Sequence, residues 1–224
     1  MQSYGDYSTY GKGTMMNFPR TGRLWLGAAA LLAAAGTAQP VPLTIVEVGF
    51  PAVNCVFNTK CTITVSDSVG QIAMPFLVTL NTAWLQSRSF TGQPGTPAAG
   101  LTGYMYRISL TQASGFGECL RGFVIDFGPI AKLAYKAGSP AAHIFVGSLG
   151  GGVGTIGLAS AEQDGDVITF TLKTPLCLGP SPSNAATTFF VGLASAKTPK
   201  ATSGTVFAIG DPAFYSVPVR VPAH

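Results

Sequence analysis

The sequence predicts an all-β protein, an antiparallel β-sandwich with Greek-key or jelly-roll-like connections and about eleven short strands. Three observations predict it. Apolar residues alternate with polar ones in run after run; clusters of Gly, Pro, Asn and Ser separate the runs; and no long stretch beyond residue 38 carries the 3.6-residue period of an amphipathic helix. The 224 residues include 28 Gly and 16 Pro, with 47% hydrophobic and only 10% charged. Such a chain is too apolar to remain disordered and long enough for one packed core. It shows no fixed repeat, which excludes a solenoid or propeller.

The first element is a targeting segment. Arg20 and Arg23 precede the apolar run 24–35, and Gly36-Thr-Ala38 supplies the small residues that a signal peptidase reads. A run of about 12 residues falls short of the roughly 20 that cross a hydrocarbon core, so residues 1–38 are expected to be a cleaved signal peptide and the mature form to have no transmembrane segment. The polar, Tyr- and Gly-rich stretch 1–14 reads as a non-native extension ahead of an initiator at Met15 or Met16. Residues 39–224 are then one domain, with 10 basic and 8 acidic residues. Its basic residues are scattered, without the cluster that tracks a phosphate backbone, and nucleic acid is not an expected partner.

Strands follow in order. They are expected at 43–50, 61–67, 72–80, 84–90, 104–110, 123–127, 130–135, 143–149, 168–172, 188–194, 205–209 and 216–221. In the second, Ile63 and Val65 alternate with Thr62, Thr64 and Ser66, the mark of a strand with one wet face. Tyr104, Tyr106, Ile108 and Leu110 share one face of the fifth, leaving Met105 and Arg107 on the other. Ile168, Phe170 and Leu172 alternate with Thr169 and Thr171. Residues 91–103 and 178–184 are read as long loops.

Cys55, Cys61, Cys119 and Cys177 make an even set in an exported chain, and disulfides are the expected state. The turn-rich Asn58-Thr-Lys60 favours closing Cys55 onto Cys61, which leaves Cys119 for Cys177. No Cys-x-x-Cys spacing suggests zinc, and neither a metal nor another cofactor is expected.

The segment Leu85-Gln-Ser-Arg-Ser-Phe-Thr-Gly-Gln-Pro-Gly-Thr-Pro-Ala-Ala-Gly-Leu-Thr-Gly-Tyr-Met-Tyr-Arg-Ile-Ser-Leu-Thr-Gln-Ala113, with Val124-Ile-Asp-Phe-Gly-Pro129 and Phe189-Phe-Val-Gly-Leu-Ala-Ser195, resembles a group of uncharacterised exported bacterial β-sandwich proteins. The resemblance spans most of the mature chain and implies no activity. Members of the group carry an Asp-rich, calcium-loop-like segment before a His-Ile/Val-Phe-Val strand. Here that position reads Lys136-Ala-Gly-Ser-Pro-Ala-Ala-His143, with no carboxylate, and the metal site is not carried over.

Catalytic patterns are thin. A Ser-His-Asp arrangement would have to use His143, with Asp126 as its acid, and no Gly-x-Ser-x-Gly elbow marks a nucleophile. Glycosidase chemistry needs two carboxylates at a defined separation, and Glu47, Asp67, Glu118, Asp126 and Asp211 are spread along the chain. Gly152-Val-Gly-Thr-Ile-Gly157 matches a dinucleotide fingerprint without the helix that must follow it, and Glu162-Gln-Asp-Gly-Asp166 reads as a hairpin turn. A recognition patch is expected at Arg88, Tyr104, Tyr106 and Arg107, around the ordered Gly/Pro loop 91–103, because Tyr and Arg offer large contact area with polar tips. The expected function is an exported, non-catalytic structural or binding protein of the cell surface, envelope or matrix, with self-assembly or a matrix component as its partner. A glycan-binding module, and after it an envelope hydrolase with a carboxylate pair, are the alternatives.

Overall fold

The computed structural model describes residues 39–74, 77–78, 82–115, 117–181, 187–209 and 214–224. The expected signal peptide and Asp211 lie outside them. The elements run β1 (Val41–Pro42), β2 (Ile45–Gly49), α1 (Phe50–Phe57), β3 (Ser66–Gln71), β4 (Trp84–Thr91), β5 (Thr102–Ser109), β6 (Cys119–Asp126), β7 (Ile144–Leu149), β8 (Leu158–Asp164), β9 (Val167–Cys177), β10 (Val191–Ser195), β11 (Pro199–Ala208) and β12 (Phe214–Pro222). Two six-stranded sheets form: β1-β8-β9-β6-β11-β12, here sheet A, and β2-β7-β10-β5-β4-β3, sheet B. All pairings are antiparallel except β2 with β7. The expected all-β sandwich is what the chain builds.

The period of two explains sheet A directly. Ile168, Phe170 and Leu172 of β9 and Val217, Val219 and Val221 of β12 point into the main core, while their neighbours stay wetter. Sheet B is different, because its outer face is partly covered as well. Tyr104, Tyr106, Ile108, Val191 and Leu193 join the core between the sheets. Met105, Phe145, Phe90 and Phe190 of the opposite face pack in a second cluster with Val53, Val56 and Phe57 of α1, Ala98, and Leu133 and Tyr135. Helix α1 and the segments 91–103 and 129–142 thus roof part of the outer face.

Several expected elements need correction. Residues 50–57 are a helix, opened by Pro51 in its first turn, where a missing N–H costs nothing. The strand expected from residue 61 starts at Ser66, because the Cys55–Cys61 bond draws 58–61 into a tight turn in which Lys60 N–H donates to Asn58 Oδ1 at 2.7 Å and Cys61 N–H to Asn58 O at 2.9 Å. The ladder of β3 ends at Gln71, although Ile72 and Met74 are buried; of the rest of 72–80, only 77 and 78 are described. Residues 130–135 make only isolated bridges, Ala131 to Ala194 and Leu133 to Ala142, since they serve as part of the roof. β8 was missed altogether. It pairs with β9 through the expected Asp-Gly hairpin turn, with Gly165 at φ +57.

Both expected disulfides form, Cys55 with Cys61 and Cys119 with Cys177. Cys119 and Cys177 sit opposite each other in the β6–β9 ladder. Two disulfides suit an oxidising compartment outside the cytosol. Among the described residues no helix is long and apolar enough to cross a membrane.

The sheets meet where β12 approaches β3 and β4. A Cβ on Gly70 would lie 2.1 Å from Pro218 O and 2.8 Å from Val217 Cγ2. Backbone on one side cannot yield, so Gly70→Ala should cost about 1–3 kcal/mol in a urea unfolding curve; an unchanged midpoint would mean that the seam is loose. Pro42 on β1 and Pro218 and Pro222 on β12 remove N–H donors from the outer strands of sheet A, a device that discourages strand addition.

Candidate binding site

The outer face of sheet B is left open beyond the roof, and there the strand register gathers polar side chains. Asp67 of β3 pairs with Arg88 of β4, which pairs with Met105 of β5; Val69 pairs with Gln86, which pairs with Arg107. Residues opposite one another share a face, and so Asp67, Gln86, Arg88 and Arg107 come together. Arg88 Nε donates to Asp67 Oδ1 at 3.0 Å and Oδ2 at 3.1 Å. Gln86 Nε2 donates to Asp67 Oδ1 at 2.8 Å, and Gln86 Oε1 accepts from Arg107 Nη2 at 2.9 Å.

Phe190, delivered from just before β10, underlies both cations. The Arg88 and Arg107 guanidinium carbons lie 4.6 and 4.8 Å from its ring centroid, and that of Arg107 lies 5.2 Å from the Trp84 ring. Burial pulls the Arg107 pKa below its ordinary value, the Arg88 charge adds to that pull and Asp67 opposes it. An arginine so placed stays charged, which leaves two guanidinium charges against one carboxylate. Arg107 Nε and Asn54 Oδ1 are buried without a hydrogen-bond partner. Two depressions adjoin at Val153. One, of about 280 Å³, is framed by Phe50, Asn54, Arg88, Met105 and Phe190. The other, of about 320 Å³, is framed by Trp84, Arg107, Ser109, Thr111 and Thr155.

Of the four residues expected in a recognition patch, Arg88 and Arg107 therefore meet, while Tyr104 and Tyr106 do not join them. The pleat turns both tyrosines to the inner face, where they are fully buried. Their hydroxyls donate to Lys197 O and Arg220 O, each at 2.8 Å. Burial pushes Tyr104 up to about 12 and Tyr106 well above its usual value. With folded-state pKa values above the unfolded value near 10, their contribution to stability is whole below pH 10 and is lost as pH rises past it. A spectrophotometric titration should show these two phenols ionising only with unfolding; a reversible phenolate step near pH 10 assigned to Tyr106 in the folded protein would contradict their burial.

The loop expected at 91–103 narrows to 92–101, between β4 and β5, and it packs. Ala98 is fully buried, its N–H bonds Val56 O at 3.1 Å, and Gln93 N–H bonds Phe57 O at 2.8 Å at the end of α1. Shortening it should lower the melting temperature by several degrees, because it uncovers the second cluster; an unchanged value would restore the loop as a free binding element.

The acids weighed for catalysis separate. Glu47 pairs with Lys173 at 2.8 Å, Asp67 with Arg88, and Glu118 with the Tyr215 hydroxyl. Asp126, the acid that a triad with His143 would have needed, pairs with His224 at 2.8 Å. His143 Nδ1 accepts from Thr44 N–H at 3.0 Å. One grouping was hidden by sequence distance: ligand-type atoms of Asp126, Asp166 and His224 lie within 4.8 Å of one another, all on exposed residues. The 2.8 Å contact between Asp126 and His224 already accounts for most of that closeness.

No known protein family, curated protein or solved structure matches the chain. Function must therefore be argued from the side chains of the outer face. Asp67, weighed only as a catalytic acid, was not placed beside Arg88 in the sequence, and Gln86, Asn54 and Phe190 were missed. The positions of Asp67 and Gln86 follow from the alternation of β3 and β4 once their register is known.

Proposed function

We propose that the protein is a non-catalytic binding protein of the extracytoplasmic surface, envelope or matrix, and that the twin depressions on the outer face of sheet B hold a carboxylate-bearing saccharide. The observation that carries this reading is the excess guanidinium charge beside a partly exposed tryptophan. Arg107 keeps an unpartnered buried Nε next to Trp84, whose side chain is partly exposed. A sugar ring can lie its C–H face on Trp84 while its carboxylate takes Arg107, and the hydroxyls of Ser109 and Thr111 suit its remaining oxygens. A planar carboxylate matches an arginine fork better than it matches a lysine. The proline-bearing outer strands of sheet A favour ligand binding over assembly by strand addition.

Calorimetric titration of the disulfide-bonded protein with a galacturonate tetramer, against a neutral galactose tetramer, tests it. Arg107→Gln should weaken the acidic ligand at least tenfold, about 1.4 kcal/mol, and leave the melting temperature within a few degrees. Equal affinity for both tetramers, or no binding of either, would overturn the reading.

A further inference from the structure

A larger cleft lies elsewhere, at the seam where β11 and β12 of sheet A meet β3, β4 and β5 of sheet B. Its volume is about 640 Å³. Its lining includes the hydroxyl residues Thr64, Ser66, Ser89, Thr91 and Thr102 and the cations Lys200 and Arg220, without a carboxylate. We propose that this cleft is a binding site for a tetrahedral oxyanion, a phosphate or sulfate group carried by a hydroxylated ligand.

Charge comes first. No side-chain carboxylate lies within ion-pairing distance of Arg220 or Lys200 among the described residues. Arg220 Nη1 donates to the Ser66 hydroxyl, an uncharged acceptor, and Lys200 Nζ donates to His224 O at 3.2 Å. Arg220, whose side-chain acceptor is neutral, gives a cleft lined by no Asp or Glu a positive field that an anion would relieve.

Donor geometry comes second. Ser89 is 4% exposed, lines the cleft, and its hydroxyl makes no hydrogen bond to a described residue. Thr64 and Thr91 likewise bring hydroxyls to the cleft that bond to no described side chain or backbone group. These hydroxyls come from β4 and the segment before β3 and face Lys200 of β11 and Arg220 of β12 across the seam, so donors surround a volume instead of lying in one plane, which suits a tetrahedral anion better than a flat carboxylate.

Rigidity comes third. Arg220 N–H donates to Ser87 Oγ at 3.2 Å and Arg220 O accepts from the Tyr106 hydroxyl at 2.8 Å, so the backbone that carries the guanidinium is pinned to the inner face of sheet B. A cation held on a fixed backbone loses less entropy on binding than one on a free loop.

The site is separate from the outer-face depressions, and its test does not depend on them. The disulfide-bonded, isotope-labelled protein is titrated with inorganic phosphate, inorganic sulfate, glucose 6-phosphate, glucose 6-sulfate and glucose while amide shifts are followed. The expected result is saturable shifts at 64–66, 89–91, 102, 200–201 and 220 with the esters and none with glucose. Shifts as strong with the inorganic anions identify the free ion as the ligand; tighter binding of an ester identifies the sugar ester. Lys200→Gln and Ser89→Ala should each weaken binding at least fivefold, and Arg220→Gln more. Because Arg220 also bonds Ser66, the first two variants carry the test if the third does not fold. Absence of saturable shifts with every anion, shifts elsewhere, or full affinity in both Lys200→Gln and Ser89→Ala would overturn the proposal.

Discussion

Phe123→Ala should lower the free energy of unfolding by about 3–5 kcal/mol, the largest loss expected from a single side chain here. Phe123 is 1% exposed and belongs to β6, which is flanked by β9 and β11 in the middle of sheet A. Its ring stacks on Phe170 with centroids 4.3 Å apart and an interplanar angle of 14°, and it leans on Tyr106 of the facing sheet at 6.0 Å. Removing it takes away the apolar burial and the ring contacts and leaves a hole between two sheets whose hydrogen-bonded ladders resist collapse. Phe214→Ala is the control, at 63% exposure, and should stay within about 0.5 kcal/mol. Urea unfolding at constant slope measures both. A cost below about 1 kcal/mol for Phe123→Ala would mean that the sheets do not meet at that ring.

Loss of the Cys119–Cys177 bond is the second large effect, at about 4 kcal/mol for Cys177→Ala when the closed loop is treated as lost chain entropy. The bond joins residues 58 apart, whereas Cys55 and Cys61 are 6 apart, for which the same relation gives about 2 kcal/mol. The long bridge also fastens the start of β6 to the end of β9, on the far side of the irregularity between Leu120 and Gly122. Guanidinium unfolding of the two single variants should rank Cys177→Ala well below Cys61→Ala. The reverse order would show that the helix end, not the ladder, depends most on its staple.

The sandwich was legible wherever one face is wet. Ile168, Phe170 and Leu172 announce β9 because Thr169 and Thr171 stand between them. β5 was legible as a strand, yet its second buried face was not, since Met105 gives no hint that a helix and two loop segments will cover it. Helix α1 was hidden for a related reason. It is only eight residues long and continues the apolar run of β2. β8 was hidden by its glycine-rich approach and its polar residues.

The candidate site was half legible. Arg88 and Arg107 were singled out, but the alternation that placed Tyr104 and Tyr106 with Ile108 already separated them from Arg107, and the structure enforces that separation. Phe190 reads as a core residue and is one, 2% exposed; only three-dimensional packing puts it under two guanidinium groups. Asp67 and Gln86 depend on the register of β3, β4 and β5, which alternation alone does not determine.

The most direct measurement of the account uses Trp84. The sequence has two tryptophans, and in residues 39–224 Trp84 stands alone, beside Arg107. Its fluorescence should change saturably as a galacturonate tetramer is added, stay constant with a galactose tetramer, and lose the response in Arg107→Gln while the melting temperature holds. Unchanged emission with the acidic tetramer, or the same change with the neutral one, would contradict the claim that this face binds a carboxylate-bearing saccharide.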